Sequence, residues 1–196
     1  MWSDIDVEFL KKRRLTAPPN YADRISAMSF SEAAAYTIDL LGLPDTARDI
    51  MDEWNGMAAH AYGNTVQMKP HAKEYLAKLR QSGVKLAVAT SSTPKLYEPA
   101  LRNHGIYDWF DVICHSDEVG CGKSRPDIFL LTAKKLEVAP ADCIVFEDVL
   151  AAIKSAKSIG MTVYGVFDKS SEADWEQIKQ TADSVITDFR NAPLPN

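Results

Sequence analysis

Cys143-Ile144-Val145-Phe146-Glu147-Asp148-Val149-Leu150-Ala151-Ala152-Ile153-Lys154-Ser155-Ala156-Lys157-Ser158-Ile159-Gly160 joins an apolar run, an acidic pair and an amphipathic repeat closed by glycine. The run Cys143 to Phe146 is too short for a helix and reads as a buried strand. Val149, Ala152, Ile153 and Ala156 then recur at helical spacing until Gly160 stops them. Thr162 to Phe167 is the next apolar run, and Ser184 to Thr187 gives a short further strand. Strand, helix and strand in alternation is the pattern of a parallel sheet flanked by helices.

The same unit recurs upstream. Pro70 opens a helix with the stripe Ala72, Tyr75, Leu76 and Leu79 that ends at Gly83, and Leu86-Ala87-Val88-Ala89 follows as a strand. Thr93-Pro94 opens a helix closing near His104-Gly105, Phe110 to Cys114 is a strand, and Pro126 opens a helix through Phe129, Ala133 and Leu136. Residues 1–66 differ, carrying helical signals only. Ile5 and Phe9 suggest a helix begun at Ser3, Ser29-Phe30-Ser31-Glu32 has the form of a capping box before Ala33, Tyr36, Thr37 and Leu40, and Asp45 can cap a helix with Ile50, Trp54, Met57 and Ala61. The expected organisation is a helical domain over 1–66 and an α/β domain over 67–196, hinged near Asn64 to Met68.

Composition narrows the function. The chain has 196 residues, 46% hydrophobic and 25% charged, the mix of an ordinary globular protein. Its 22 basic and 27 acidic residues leave a net charge of −5, which disfavours nonspecific nucleic-acid binding. The basic run Lys11-Lys12-Arg13-Arg14 reads as a solvated helix face. No stretch approaches the roughly 18 apolar residues of a membrane span, and Met1-Trp2-Ser3-Asp4 lacks the order of a signal peptide. The expected partners therefore include neither nucleic acid nor membrane, and the expected compartment is the cytoplasm. Three cysteines, with no C-x-x-C pair, fit reduced thiols better than a disulfide framework or zinc site.

Ligands of open α/β sheets gather outside the carboxyl ends of the strands. The first strand ends in Thr90-Ser91-Ser92, whose hydroxyls and backbone N–H groups can cradle a phosphate or simply cap the next helix. After the second comes Gly122-Lys123-Ser124-Arg125-Pro126-Asp127, in which Lys123 is a compact charge suited to a phosphoryl oxygen or a surface lysine. The third ends in Glu147-Asp148. Adjacent carboxylates leaving a buried strand need solvation, hydrogen bonds or a cation, and magnesium is held by one or two carboxylates plus phosphate oxygens. Alternatively, Asp148 caps the following helix. Together these groups describe a magnesium-dependent phosphoryl-transfer site.

With V-A-T-S-S, G-K-S-R-P-D-I-F and V-F-E-D-V-L-A-A-I-K-S-A-K-S-I-G-M in order over residues 70 to 190, the chain resembles the haloacid dehalogenase-like (HAD) hydrolases, in the branch of β-phosphoglucomutases and small-metabolite phosphatases. The resemblance implies an α/β Rossmannoid core and a helical cap formed by the first third. It further implies Mg2+ as cofactor and a small phosphorylated metabolite, such as a sugar phosphate, as substrate. Thr90 would hydrogen-bond the phosphoryl group, Ser91 would offer its backbone N–H, Lys123 would stabilise the phosphoryl charge, and Asp148 would ligate magnesium with Glu147 beside it.

Two departures qualify the resemblance. The family begins with a strand ending in D-x-D-G, whose first Asp is the nucleophile that forms an aspartyl-phosphate and whose second is the general acid/base; no D-x-D-G occurs in this sequence. Asp4-Ile5-Asp6 has the spacing without an apolar run before it or a Gly after it, and reads as the first turn of a helix. The first core strand, central in the family's sheet, is therefore expected to be missing, leaving two strands without a partner, as in a truncated fragment. The chain as given is expected to be inactive, and a pseudoenzyme or phospholigand-binding module is the alternative reading. The second departure is Ser26 and Phe30, which stand where the mutases carry a basic pair for a second phosphate, so a singly phosphorylated substrate is expected.

Overall fold

Ile5 lies about one helical turn before Phe9 and Leu10 and all three are buried, which is why α1 (Trp2–Lys12) packs rather than floats. The computed structural model describes residues 2–19, 21–26 and 30–195. The chain forms two compact units, Met1–Val66 and Gln67–Asn196.

The first unit continues with α2 (Tyr21–Ser26), α3 (Phe30–Leu41) and α4 (Ala47–Asn64). Its core holds Phe9 against Trp54 edge to face at 5.5 Å, with Ile50 and Ala58 fully buried on the same helix as Trp54. Thr37, fully buried, spends its hydroxyl on the Ala33 carbonyl at 2.7 Å and on the Tyr21 hydroxyl at 2.8 Å. Two sequence expectations are adjusted here. The cap of α4 is Thr46, not Asp45: Thr46 and Asp49 form a reciprocal capping box, while Asp45 accepts from Arg13 at 3.1 Å. The basic run is not simply a solvated face, because Arg13 also reaches Glu53 at 2.7 Å and lies 3.9 Å above the Phe9 ring, and Lys12 reaches Glu53 at 3.1 Å. Phe30 rests on Trp54 at 5.6 Å within this unit. Ser29, the expected cap of α3, and the side chain of Ser26 lie outside the described residues.

The second unit runs α5 (Ala72–Gln81), β1 (Ala87–Thr90), α6 (Pro94–Asn103), β2 (Val112–His115), α7 (Asp127–Leu136), β3 (Ile144–Glu147), α8 (Leu150–Ser158), β4 (Thr162–Val166), α9 (Trp175–Thr181) and β5 (Ser184–Ile186). Alternation of strand and helix yields parallel pairing, as expected of an α/β protein. Helix α5 starts at Ala72 rather than Pro70 because His71 takes a left-handed φ of 59°. Helix α9 is not among the elements read from periodicity, its seven residues offering only Trp175 and Ile178 as apolar markers. It packs closely because β4 has glycine at 165: a Cβ there would stand 2.5 Å from the Ile178 Cγ2.

The strands make two sheets, β1 with β2 and β3 with β4 and β5. Ala87 to Thr90 pair with Val112 to His115, and Ile144 to Glu147 pair with Thr162 to Gly165. Among the described residues no ladder joins β1 to β3. Instead a cavity of about 730 Å3 is bordered by Ala87 and Ala89 of β1, Ile144 to Glu147 around β3, and apolar side chains of α5 and α7. β1 and β3 are each paired along one edge, with β2 and β4 respectively.

Candidate active site

Polar side chains stand at or just past the ends of β1, β2, β3 and β4. Thr90 closes β1, and its hydroxyl accepts from the Ser92 N–H at 3.0 Å. Ser116, just past β2, donates toward the Ser91 hydroxyl at 3.3 Å and the Thr90 carbonyl at 3.5 Å. The capping alternative for this segment is not taken by a hydroxyl: Thr93 is the N-cap of α6 in extended conformation but makes no side-chain capping bond, and Pro94 follows at the first helical position. The N-terminus of α6, shortly after Thr90 and Ser91 in the chain, therefore carries no side-chain cap.

Lys123 is not a free surface lysine. Its Nζ donates to Glu147 Oε2 at 2.5 Å, and the two side chains are 20% and 4% exposed. The other oxygen of Glu147 accepts from the N–H groups of Asp148 and Val149, each at 3.0 Å. Glu147 thus caps the entry to α8 and anchors Lys123 at once, because strand alternation turns its side chain inward at the last position of β3. Its carboxylate is engaged on both oxygens. The N-cap of α8 is Val149, with no side-chain cap bond, so Asp148 does not serve as the cap.

Asp148 sits in a different electrostatic setting. Burial raises its pKa above the ordinary carboxylate range, the neighbouring Glu147 charge raises it further, and Lys69 opposes both. Lys69 and Asp168 are residues the sequence reading did not single out. Lys69 Nζ bonds Asp168 at 2.6 Å and the Phe167 carbonyl at 3.1 Å, and this hydrogen bond, with others from Ser170, holds the Asp168 carboxyl far below its usual value. A signal for Asp168 existed: it follows β4 by two residues, and the rule that directs attention to strand ends applies to the fourth strand as to the first three. Lys69 carried no comparable signal.

Among the described residues, no group of three or more His, Cys, Asp or Glu is arranged to hold a metal ion. Magnesium needs less than that, being commonly bound through one or two carboxylates with substrate phosphates and waters completing its shell. A carboxyl raised by burial beside a second negative charge is a donor whose ionised form a cation would favour. Asp148 meets that condition, and the donor set fits a hard divalent cation.

The sequence profile of haloacid dehalogenase-like hydrolases matches residues 20–160. The chain is 28% identical over 144 residues to a phosphorylated carbohydrates phosphatase of Thermotoga maritima, covering 73% of this chain and 67% of that protein. It is 34% identical over 164 residues to the bifunctional riboflavin kinase/FMN phosphatase of Arabidopsis thaliana, covering 83% of this chain and 42% of that one. The chain thus spans about two thirds of the first relative's length and under half of the second's. In three dimensions it is similar to a HAD family hydrolase from Deinococcus radiodurans, with a TM-score of 0.73 at 21% identity, covering 96% of this chain and 84% of the other.

Proposed function

We propose, from the premise that the chain belongs to the haloacid dehalogenase-like hydrolase family, that it handles a small phosphorylated metabolite such as a sugar phosphate, as a phosphoric monoester hydrolase. The observation that carries this reading is the set of polar groups at the ends of β1 and β3. A half-buried lysine is held on a buried glutamate, the pKa of the adjacent aspartate is raised by burial and then by that glutamate's charge, and a hydroxyl pair shortly precedes a helix N-terminus. Phosphatase names among the matched relatives add to it.

In this reading Thr90 donates its hydroxyl to a phosphoryl oxygen, and Ser91 offers its backbone N–H. Lys123, steered by Glu147, adds a positive charge without losing side-chain freedom on binding. Asp148 is the residue that would hold Mg2+, with the charges of Glu147 and Asp168 beside it and Lys69 limiting their sum. When bound, the ion supplies charge neutralisation of the phosphoryl oxygens. The helical unit, residues 1–66, is the proposed cap, and the cytoplasm the proposed compartment; the three cysteines are free thiols and no helix among the described residues is long and apolar enough to cross a membrane.

A second reading is a phospholigand-binding module, in which Thr90, Lys123 and Asp148 hold phosphate without turning it over. Calorimetry with orthophosphate, with and without Mg2+, tests the shared part. Thr90→Val, which keeps the side chain's shape, should weaken binding by about 1 kcal/mol, and Lys123→Ala by about 1.5–3 kcal/mol. Equal affinity in wild type and both variants refutes the site. Turnover of p-nitrophenyl phosphate by the 196-residue chain, abolished by Asp148→Ala, would exclude the binding-only reading; its absence beside intact phosphate binding would favour it.

A further inference from the structure

We propose that Lys69 is a counter-charge that holds down the affinity of the Asp148 edge for a divalent cation, and that Asp168 is the anchor of that lysine rather than a ligand. The inference deepens the proposed function and rests on its assignment of Asp148 to the cation. β3 and β4 pair in parallel, with Glu147 level with Gly165 at the last rung. Asp148 therefore leaves β3 level with Val166, and Phe167 and Asp168 leave β4 just beyond. Lys69 enters that edge from 99 positions away in the chain, its Nζ donating to Asp168 Oδ2 at 2.6 Å and to the Phe167 carbonyl at 3.1 Å.

Three carboxylates stand at the ends of these two strands, and two of them are already engaged on both oxygens. Glu147 gives Oε2 to Lys123 and Oε1 to the N–H groups of Asp148 and Val149. Asp168 gives Oδ2 to Lys69 and Oδ1 to the N–H and hydroxyl of Ser170, at 2.9 and 2.7 Å. Among the described residues Asp148 forms an ion pair with neither lysine. Glu147, Asp148 and Asp168 against Lys69 and Lys123 leave a surplus of one negative charge; without Lys69 the surplus is two. Two hydrogen bonds tie the ammonium to β4's end, yet its field reaches Asp148 and opposes there the effects of burial and of Glu147.

The side chains of Lys69 and Asp168 are 34% and 36% exposed, so water screens the field and a high dielectric constant applies. Charges one to two strand spacings apart are about 5–10 Å from each other. Over that span a unit charge changes the affinity of a divalent ion by about three- to tenfold at ~0.01 M salt and by less than about twofold at ~1 M, where the Debye length is ~3 Å. An ion pair with a merely structural role behaves differently. Lys69→Met and Asp168→Asn remove the same ion pair, so if it only held the chain in place both would move cation affinity in one direction. As charges the two residues act in opposite directions.

The test titrates MgCl2 into the whole 196-residue protein, labelled for NMR, and reads the dissociation constant from the amide signals of Asp148 and Val149 at ~0.01 M and ~1 M salt. At low salt Lys69→Met should bind Mg2+ about three- to tenfold more tightly and Asp168→Asn about as much more weakly, while Lys69→Arg, which keeps the charge, should stay within about twofold of wild type. The differences should close at high salt. Shifts of both variants in one direction, no shift at low salt, or shifts that salt leaves unchanged would overturn the proposal. Should Lys69→Met not fold, Asp168→Asn and Lys69→Arg decide it by the same salt dependence. Asp148→Asn separates the two levels of the argument. If it abolishes binding while the lysine and Asp168 variants miss their signs, only this proposal falls; if it leaves binding intact, or wild type binds no Mg2+, the assignment of Asp148 falls and this proposal with it.

Discussion

Replacing Lys123 by alanine removes the ammonium bonded to a carboxylate that is only 4% exposed. Deleting one partner of a buried ion pair costs about 3–5 kcal/mol, because the other charge is left desolvated and unpaired. Two features of this pair reduce that figure. Glu147 keeps the N–H groups of Asp148 and Val149, each at 3.0 Å, and Lys123 is one-fifth exposed, so the pair is partly hydrated before mutation. The expected loss is about 2–3 kcal/mol, which in a chain of this size lowers the melting temperature by about 5–10 °C. Glu147→Gln should cost less, about 1 kcal/mol, since the amide oxygen still accepts from the backbone and the released ammonium can reach water. Urea titration followed on the amide signals of β3 and β4 measures both variants within the second unit. A Lys123→Ala midpoint equal to wild type, or a larger loss for Glu147→Gln than for Lys123→Ala, would refute the assignment of Lys123 as the charge that makes a buried Glu147 tolerable.

Burial pushes the Asp6 carboxyl up to about 6 from an ordinary value of 3.8, so between those values the folded protein binds more protons than the unfolded chain. Stability of the helical unit should therefore fall as pH rises from about 4 to 6. Asp6→Asn should raise it by about 1 kcal/mol at pH 7.5, a figure reduced for the partial exposure of the group, and change little at pH 4; identical thermal melts of the two proteins at both pH values would contradict this. Gly165→Ala forces a methyl to 2.5 Å from the Ile178 Cγ2 and 3.1 Å from the Val185 Cγ1, with Ile178 fully buried, and should cost about 1–3 kcal/mol. An unchanged urea midpoint would mean that α9 can slide away without penalty.

Strand ends were the informative places in the sequence because burial of a parallel strand requires a continuous apolar run, and whatever polar residue follows it must emerge at the sheet's edge. Thr90, Lys123, Glu147 and Asp148 could be singled out on that ground. What each polar group does there was not legible. Glu147 and Asp148 are neighbours in sequence, yet one is turned inward onto Lys123 and the other meets Lys69 and Asp168 electrostatically. Pairing of Lys69 with Asp168 joins residues 99 positions apart, and no local period records such a contact. The cap of α4 is a smaller case: Asp45 and Thr46 are both good N-cap residues, and only the position of Arg13 decides that Asp45 is used elsewhere.

Local periodicity thus determined the helical character of residues 1–66, the alternation that makes the second unit parallel, and the residue types available at its strand ends. Each of those follows from side chains a few positions apart. Tertiary structure decided that β1 and β3 do not meet, that an apolar cavity stands between them, and that Lys123 is spent on Glu147. Such outcomes depend on which edges come together in space, and in a sheet whose strands are linked by whole helices that pairing is set by long-range closure rather than by neighbours along the chain.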